Sequence, residues 1–200
     1  MLAPEGRLIV YLLTLAVITL HLIFGLMVWP LWILVVIFIW FYRDPRRQTP
    51  SAPLGVIAPA DGRIISIENT EDKFLKREAL CISLRMDRYG PFTLRGVTEG
   101  KVMQHWLHRS QQAQPGRIQH VIWIQTDEKD DIVVTLHAGL WFTRMQCYVA
   151  SGERIGQGKR CGFIPLGAQI DVYLPKRSRT AHKVGDRVLA GSEILGELIH

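Results

Sequence analysis

Residues 8–47 read LIVYLLTLAVITLHLIFGLMVWPLWILVVIFIWFYRDPRR, and they decide the N-terminal fold of this chain. From Leu8 to Tyr42, 35 residues pass without an Asp, Glu, Lys or Arg, and a basic cluster follows at once. A soluble core rarely needs so long an uncharged run, because its buried elements alternate with solvated ones. We therefore predict that this segment lies in a membrane.

The length of the run predicts a break within it. A bilayer core of about 30 Å needs roughly 20 helical residues, whereas one helix of this length would extend about 52 Å. Pro30 lacks a backbone donor and ends a helix, and Gly25 adds freedom nearby. We predict two helices, about 8–27 and 30–42, that form a transmembrane or re-entrant hairpin within a membrane anchor of residues 1–43.

Basic residues flank both ends of the run. Arg7 precedes it, and Arg43, Arg46 and Arg47 follow it. A hairpin places both ends on one side, and the positive-inside tendency makes that side cytoplasmic. We expect anchoring in the inner membrane with the rest of the chain in the cytoplasm. A cleaved signal peptide is disfavoured, because the run is too long and ends without a small-residue cleavage site.

The charge of the chain indicates an anionic partner. The formal net charge is +6, and residues 1–42 add nothing to it, because Glu5 and Arg7 cancel. No aromatic-interleaved basic motif of a nucleic-acid-binding protein is present. We therefore expect membrane phospholipid, and not nucleic acid, as the partner, with Arg43, Arg46 and Arg47 as the candidate contacts.

Cysteine and histidine spacing favours neither disulfides nor metal. Cys81, Cys147 and Cys161 are odd in number and form no CxxC pair, so reduced thiols are expected. His105 and His108 lie three residues apart without an acidic or Cys partner in the sequence nearby. We predict no metal site.

Residues 44–200 favour a single β-rich domain, sandwich-like or barrel-like. Apolar and polar residues alternate in short runs that Gly, Asp and Pro turns separate, and no long helical periodicity occurs. A charged turn, Asp127–Asp131, separates two of these runs. The predicted strands include Leu80–Met86, Lys101–Leu107, His120–Gln125, Ile132–His137, Met145–Val149 and Gln169–Leu174.

Several phrases in one order resemble the phosphatidylserine decarboxylase family, especially its short bacterial and archaeal form. The phrases cover nearly the whole chain, and the R-D-P-x-R and P-A-D-G motifs are specific together. They are Pro4-Glu5-Gly6, FYRDPRR at 41–47, APADGRI at 58–64, AGL at 138–140 and GFIPLGAQIDVYLP at 162–175.

The resemblance implies a distinctive chemistry. Family members cleave themselves at a Gly-Ser bond, and the serine becomes a pyruvoyl group whose carbonyl serves as an electron sink. An Asp and a His assist the cleavage. The Asp corresponds to Asp61, but Phe92 stands at the His position, Leu94 at a neighbouring Asn position, and Ala168 at the serine position. A pyruvoyl group is therefore not expected.

Three hypotheses follow from these positions. The leading one is a membrane-anchored, non-catalytic relative that binds phospholipid or serves as a membrane scaffold. The alternative is an active phosphatidylserine decarboxylase that uses an unrecognised nucleophile. The sequence has a Gly-Ser pair elsewhere, at Gly191-Ser192, which reads more simply as a turn. A third is a purely structural membrane subunit without lipid recognition. A second copy of the chain or another membrane protein is a further candidate partner. Asp61 itself is either a retained catalytic position or a turn-stabilising carboxylate.

Overall fold

The computed structural model describes residues 1–109, 118–138 and 145–199. The chain divides into two compact units, Met1–Arg46 and Arg47–His200. Two residues of the family phrase at 138–140, Gly139 and Leu140, lie outside the described residues, as does the side chain of His108.

The first unit is a helical hairpin. Helix α1 spans Pro4–Phe24, a 3₁₀ turn spans Gly25–Val28, and helix α2 spans Leu31–Phe41. Helix α1 begins earlier than the predicted residue 8, because Pro4 at the first helical position needs no hydrogen-bond acceptor. It ends at Phe24, and Gly25 follows with a φ of 61°, in the left-handed region. The N–H of Ala3 donates to the carbonyl of Tyr42 at 2.7 Å, so the outer ends of the hairpin meet.

The hairpin exposes most of its apolar surface. Val17, Val28 and Val35 are buried where the helices pack, whereas Leu22 is 82% exposed and Met27 is 88% exposed. Within the described residues, one helical segment, Pro4–Val28, is long and apolar enough to cross a membrane. Only 11% of its most apolar 18-residue stretch is buried within the protein. An apolar surface of this extent is a candidate membrane anchor.

The second unit is mainly β, which confirms the predicted fold class. Its alternating sequence allows one side chain in two to face the core. Its strands are β1 Gly55–Ile57, β2 Gly62–Asp72, β3 Arg77–Met86, β4 Thr93–Arg95, β5 Gly100–Arg109, β6 Ile118–Gln125, β7 Asp131–Ala138, β8 Gln146–Cys147, β9 Arg154–Ile155, β10 Arg160–Phe163, β11 Ala168–Pro175, β12 Arg187–Val188 and β13 Ile194–Glu197.

The largest sheet in the described residues is a curled half-barrel of eight strands. Its order is β12-β2-β3-β11-β7-β6-β5-β9, and β1-β13 and β4-β10-β8 form two smaller sheets. One face of the large sheet is apolar and fully buried, with Leu84, Leu136 and Ile170 at no more than 1% exposure. The other face, here the polar face, carries Ser83, Thr135 and other hydrophilic side chains at alternate positions.

The antiparallel register gives the large sheet two distinct ends. At one end, here the Ala168 end, β11 begins opposite the last residues of β3 and β7. At the other end, here the hairpin end, lie the β2–β3 turn and the charged β6–β7 turn, which the sequence predicts at Asp127–Asp131. The candidate site lies at the Ala168 end.

Candidate functional site

Asp61 lies in the turn between β1 and β2 and is only 3% exposed. Arg47 Nη2 donates to its Oδ2 at 2.7 Å, and the backbone N–H of Ala190 donates to its Oδ1 at 2.8 Å. The backbone N–H of Asp87 donates to the carbonyl of Asp61 at 2.9 Å. Both carboxylate oxygens therefore hold distant parts of the unit together, in charge-assisted and backbone hydrogen bonds.

Phe92 and Leu94 make the adjoining region apolar. Phe92 is 1% exposed and meets Phe163 edge to face, with ring centroids 6.3 Å apart. Leu94 lies opposite Gly162 in the three-stranded sheet and lines a cavity of about 10 Å³ with Ile122 and other apolar residues. A cavity of that size has room for about one water molecule and none for a phospholipid headgroup.

Ala168 follows a strained turn and begins β11. Leu166 and Gly167 have φ of 62° and 80°, both in the left-handed region. Glycine adopts this region freely, whereas Leu166 does so at a cost of about 1–2 kcal/mol. Ala168 is 6% exposed, and its methyl group has no oxygen and no ionisable proton.

The end of β3 brings these positions into one region. Asp87 follows β3 and donates its N–H to Asp61, as described above, while a Cβ built on Gly90 would lie 3.8 Å from Cβ of Asp61. A Cβ on Gly167 would lie 3.4 Å from Cβ of Met86 and 3.8 Å from the carbonyl of Asp87. The carbonyl of Phe92 accepts the N–H of Ile164, which precedes the strained turn, at 2.8 Å. The structure therefore gathers Asp61, Phe92 and Ala168 around one strand end.

Comparison with known proteins identifies the family of this sequence. Residues 34–196 match the family model for phosphatidylserine decarboxylase. The phosphatidylserine decarboxylase proenzyme of Burkholderia ambifaria is 38% identical over 177 residues, which cover 85% of this chain and 83% of that protein. The corresponding proenzyme of Burkholderia vietnamiensis is 35% identical over 204 residues, which cover 98% of this chain and 95% of that protein.

This chain belongs to the phosphatidylserine decarboxylase family. No solved structure matches it closely enough to add a comparison of folds. Within the family, the positions that the sequence resemblance assigns to self-cleavage carry one carboxylate, Asp61, together with the apolar residues Phe92 and Ala168.

The arginines that follow the anchor have different surroundings. Arg43 stacks its guanidinium over Trp40, with Cζ 3.8 Å from the ring centroid, and Arg46 Nε lies 3.4 Å from Sδ of Met1. Arg47 belongs to the β unit, where its side chain is 19% exposed and bound to Asp61. Arg47 is therefore engaged within the protein, although the sequence suggests it as a lipid contact.

A second cluster of polar residues lies on β7 and β11, and the sequence analysis did not predict it. On the polar face, Oδ2 of Asp171 lies 2.8 Å from Nε2 of His137, and Gln169 Nε2 donates to its Oδ1 at 3.1 Å. Burial by itself raises the pKa of Asp171, but hydrogen bonds from His137, Ser83 and Gln169 outweigh it, so the net pKa is lowered. The signal in the sequence was a polar residue at alternate positions of β7 and β11.

A pair of histidines lies on the β5–β6 hairpin. Nε2 of His105 and Nδ1 of His120 are 3.1 Å apart, and the rings are stacked. Burial lowers the pKa of both side chains, and the charge of His105 lowers that of His120 further. One ring nitrogen donates to the other, and this bond is lost when both rings are protonated, because two N–H groups then face each other. Within the described residues, no group of three or more His, Cys, Asp and Glu side chains could hold a metal ion.

We expect the histidine pair to make folding stability depend on pH. The ordinary pKa of 6.5 applies to the unfolded chain, and the folded values lie below it, so the unfolded state binds protons first as pH falls. The stability present above pH 6.5 is therefore lost as pH falls through the folded pKa values. A His105→Gln/His120→Gln variant should show a smaller fall in Tm between pH 7.5 and pH 5.5 than the unchanged protein. An equal fall would contradict this role.

Proposed function

We propose that this protein is a membrane-anchored, non-catalytic member of the phosphatidylserine decarboxylase family that binds phospholipid. The observation that carries the proposal is Ala168 at the start of β11. Self-cleavage needs a hydroxyl that attacks the preceding carbonyl and a Cβ substituent that can be eliminated, and a methyl group supplies neither. No pyruvoyl electron sink can then form at this position.

Phe92 and Asp61 support the same conclusion. A proton relay needs a titratable group within hydrogen-bond reach, whereas Phe92 is a buried ring packed on Phe163. Both oxygens of Asp61 accept hydrogen bonds from Arg47 and Ala190. Phe92 and Asp61 are thus packed and hydrogen-bonded as structural residues.

Other candidate nucleophiles are poorly placed for the alternative, a working decarboxylase. Burial raises the pKa of Cys161 and raises that of Cys81 to about 11, so both remain thiols at neutral pH. Ser192 donates to the carbonyl of Leu189 at 3.4 Å within a turn. None of these groups combines an activated oxygen or sulfur with a nearby general base.

The anchor and the net charge support a role at a phospholipid surface. The apolar hairpin leaves large side chains uncovered, and the chain carries a net charge of +6. Cationic side chains beside an anionic leaflet gain about 1 kcal/mol each when well placed. By the positive-inside tendency, the arginines after the hairpin favour the cytoplasmic side of the inner membrane.

Intact mass and lipid turnover test the proposal together. Full-length protein purified from membranes should give one unbroken mass near 22.8 kDa and release no carbon dioxide from carboxyl-labelled phosphatidylserine. The Burkholderia ambifaria proenzyme, prepared in parallel, is the positive control for both measurements. Two fragments, a ketone-bearing new N-terminus, or release of labelled carbon dioxide would overturn the proposal, and the position of the cut would name the nucleophile.

Phospholipid binding needs its own measurement. Native mass spectrometry of the protein released from nanodiscs should show bound phospholipid that survives at collision energies at which detergent is lost. Protein that carries no lipid under these conditions would contradict the binding part of the proposal and leave the catalytic part to the first experiment.

A further inference from the structure

Three arginines stand in one row across neighbouring strands of the polar face. Arg187 of β12 is the register partner of Arg63 of β2, and Arg63 is the register partner of Arg85 of β3. Gln169 of β11 and His137 of β7 continue the row. We call Arg63, Arg85 and Arg187 the arginine row.

The arginine row is unfavourable within the protein alone. Like charges directly opposite on neighbouring strands destabilise a sheet. Arg187 bonds Asp87 at 2.8 Å, but Arg63 and Arg85, in the part of the chain that the structure describes, make no side-chain hydrogen bond or ion pair. Both are exposed, so two full positive charges remain available to an external anion.

The loops beside the row expose apolar side chains. Tyr89 is 79% exposed and Leu166 is 40% exposed, and Arg88 is exposed as well. The Asp87–Arg187 ion pair joins the Tyr89 loop to the row, and the Gly167 turn lies against Asp87. Exposed Tyr and Leu side chains among arginines are typical of surfaces that enter the interfacial zone of a membrane.

We propose that the Ala168 end of the β unit is a second membrane contact for anionic phospholipid. Arg63 and Arg85 bind lipid phosphate groups, while Tyr89 and Leu166 enter the headgroup region. A bilayer surface fits better than a free phosphate ion, because a free ion gives Tyr89 and Leu166 nothing to contact. The inference rests on the membrane anchoring in the proposed function, and it adds which surface of the β unit meets lipid.

A fluorescent label can report this contact in the full-length protein. Cys81 and Cys161 are buried, so a Cys147→Ser background restricts labelling to a new cysteine. Tyr89→Cys places an environment-sensitive nitrobenzoxadiazole label at the Ala168 end, and Glu128→Cys places it at the exposed turn of the hairpin end. Both proteins are reconstituted in nanodiscs of phosphatidylcholine with or without phosphatidylglycerol.

We expect emission at position 89 to shift to the blue and to be quenched by doxyl-labelled lipid in anionic nanodiscs only. Emission at position 128 should not change. Adding Arg63→Gln/Arg85→Gln to the Tyr89→Cys protein should abolish the shift. Lys101→Gln/Arg177→Gln, which removes the same charge from exposed residues at the hairpin end, should leave it intact.

Three results would overturn the inference. The first is equal emission at positions 89 and 128, and the second is a shift that survives the loss of Arg63 and Arg85. The third is loss of the shift on adding inorganic phosphate at constant ionic strength, which would indicate a pocket for a free anion. Failure of the protein to co-elute with nanodiscs would contradict the anchor itself, so co-elution without a shift separates the failure of this inference from failure of the proposed function.

Discussion

A Phe92→Ala variant is expected to lose about 3–5 kcal/mol of the free energy of unfolding of the β unit. Phe92 is among the largest fully buried side chains of the described residues, and Phe163 packs against it edge to face. Truncation removes the transfer free energy of the ring and leaves a cavity that the surrounding strands only partly fill. Because domains are stable by about 5–15 kcal/mol, this is a large share of the total.

Urea unfolding in a mild detergent, followed by circular dichroism, measures the effect of Phe92→Ala. Phe92→Leu is the matched control, because it keeps an apolar side chain at the same position and should cost less. Phe92→His restores the residue type of the family position but buries an imidazole among apolar groups, so it should also destabilise the unit. A loss below about 1 kcal/mol for Phe92→Ala would show that the ring is not a core residue.

Removing the carboxylate of Asp61 is expected to be nearly as damaging. Asp61→Ala leaves the guanidinium of Arg47 and the N–H of Ala190 without their partners in a largely buried place. Breaking such a pair from one side costs about 3–5 kcal/mol, and the partial exposure of Arg47 places the expected loss near the lower value. Asp61→Asn keeps an acceptor for Ala190 and should therefore lose less.

A double-mutant cycle separates the ion pair from the backbone hydrogen bond. Arg47→Met, Asp61→Asn and the combined variant are unfolded in urea under one set of conditions. Residues in direct contact show coupling of about 0.5–3 kcal/mol, so the combined loss should be smaller than the two single losses added together. Additive losses, or an Asp61→Ala variant as stable as the unchanged protein, would exclude this structural role for Asp61.

The elements that local sequence governs were predictable. The uncharged run predicts the helical hairpin, because 35 residues without charge can be recognised without knowing any tertiary contact. The alternation of apolar and polar residues likewise predicts β6 and β7, and the charged residues between them predict the turn. The start of α1 was placed four residues late, because the prediction followed apolar content and gave no weight to Pro4 as a first helical residue.

Contacts between distant residues were not predictable in the same way. His137 and Asp171 are 34 positions apart, and Arg63 and Arg187 are further apart still. Whether such side chains meet depends on strand order and register, and a shift of one residue would turn each to the opposite face. A single sequence does not show directly which residues of two strands pair with each other.

The sequence alone determined that the chain carries a long uncharged segment, and through the family resemblance it predicts alanine at the position of the family serine. Both depend only on which side chains the residues have. The tertiary structure decided what surrounds them: that Asp61 binds Arg47 and the backbone at Ala190, and that three arginines align across β12, β2 and β3. These facts arise because backbone hydrogen bonds fix the register of the sheet, and the register brings side chains from remote parts of the chain to one place.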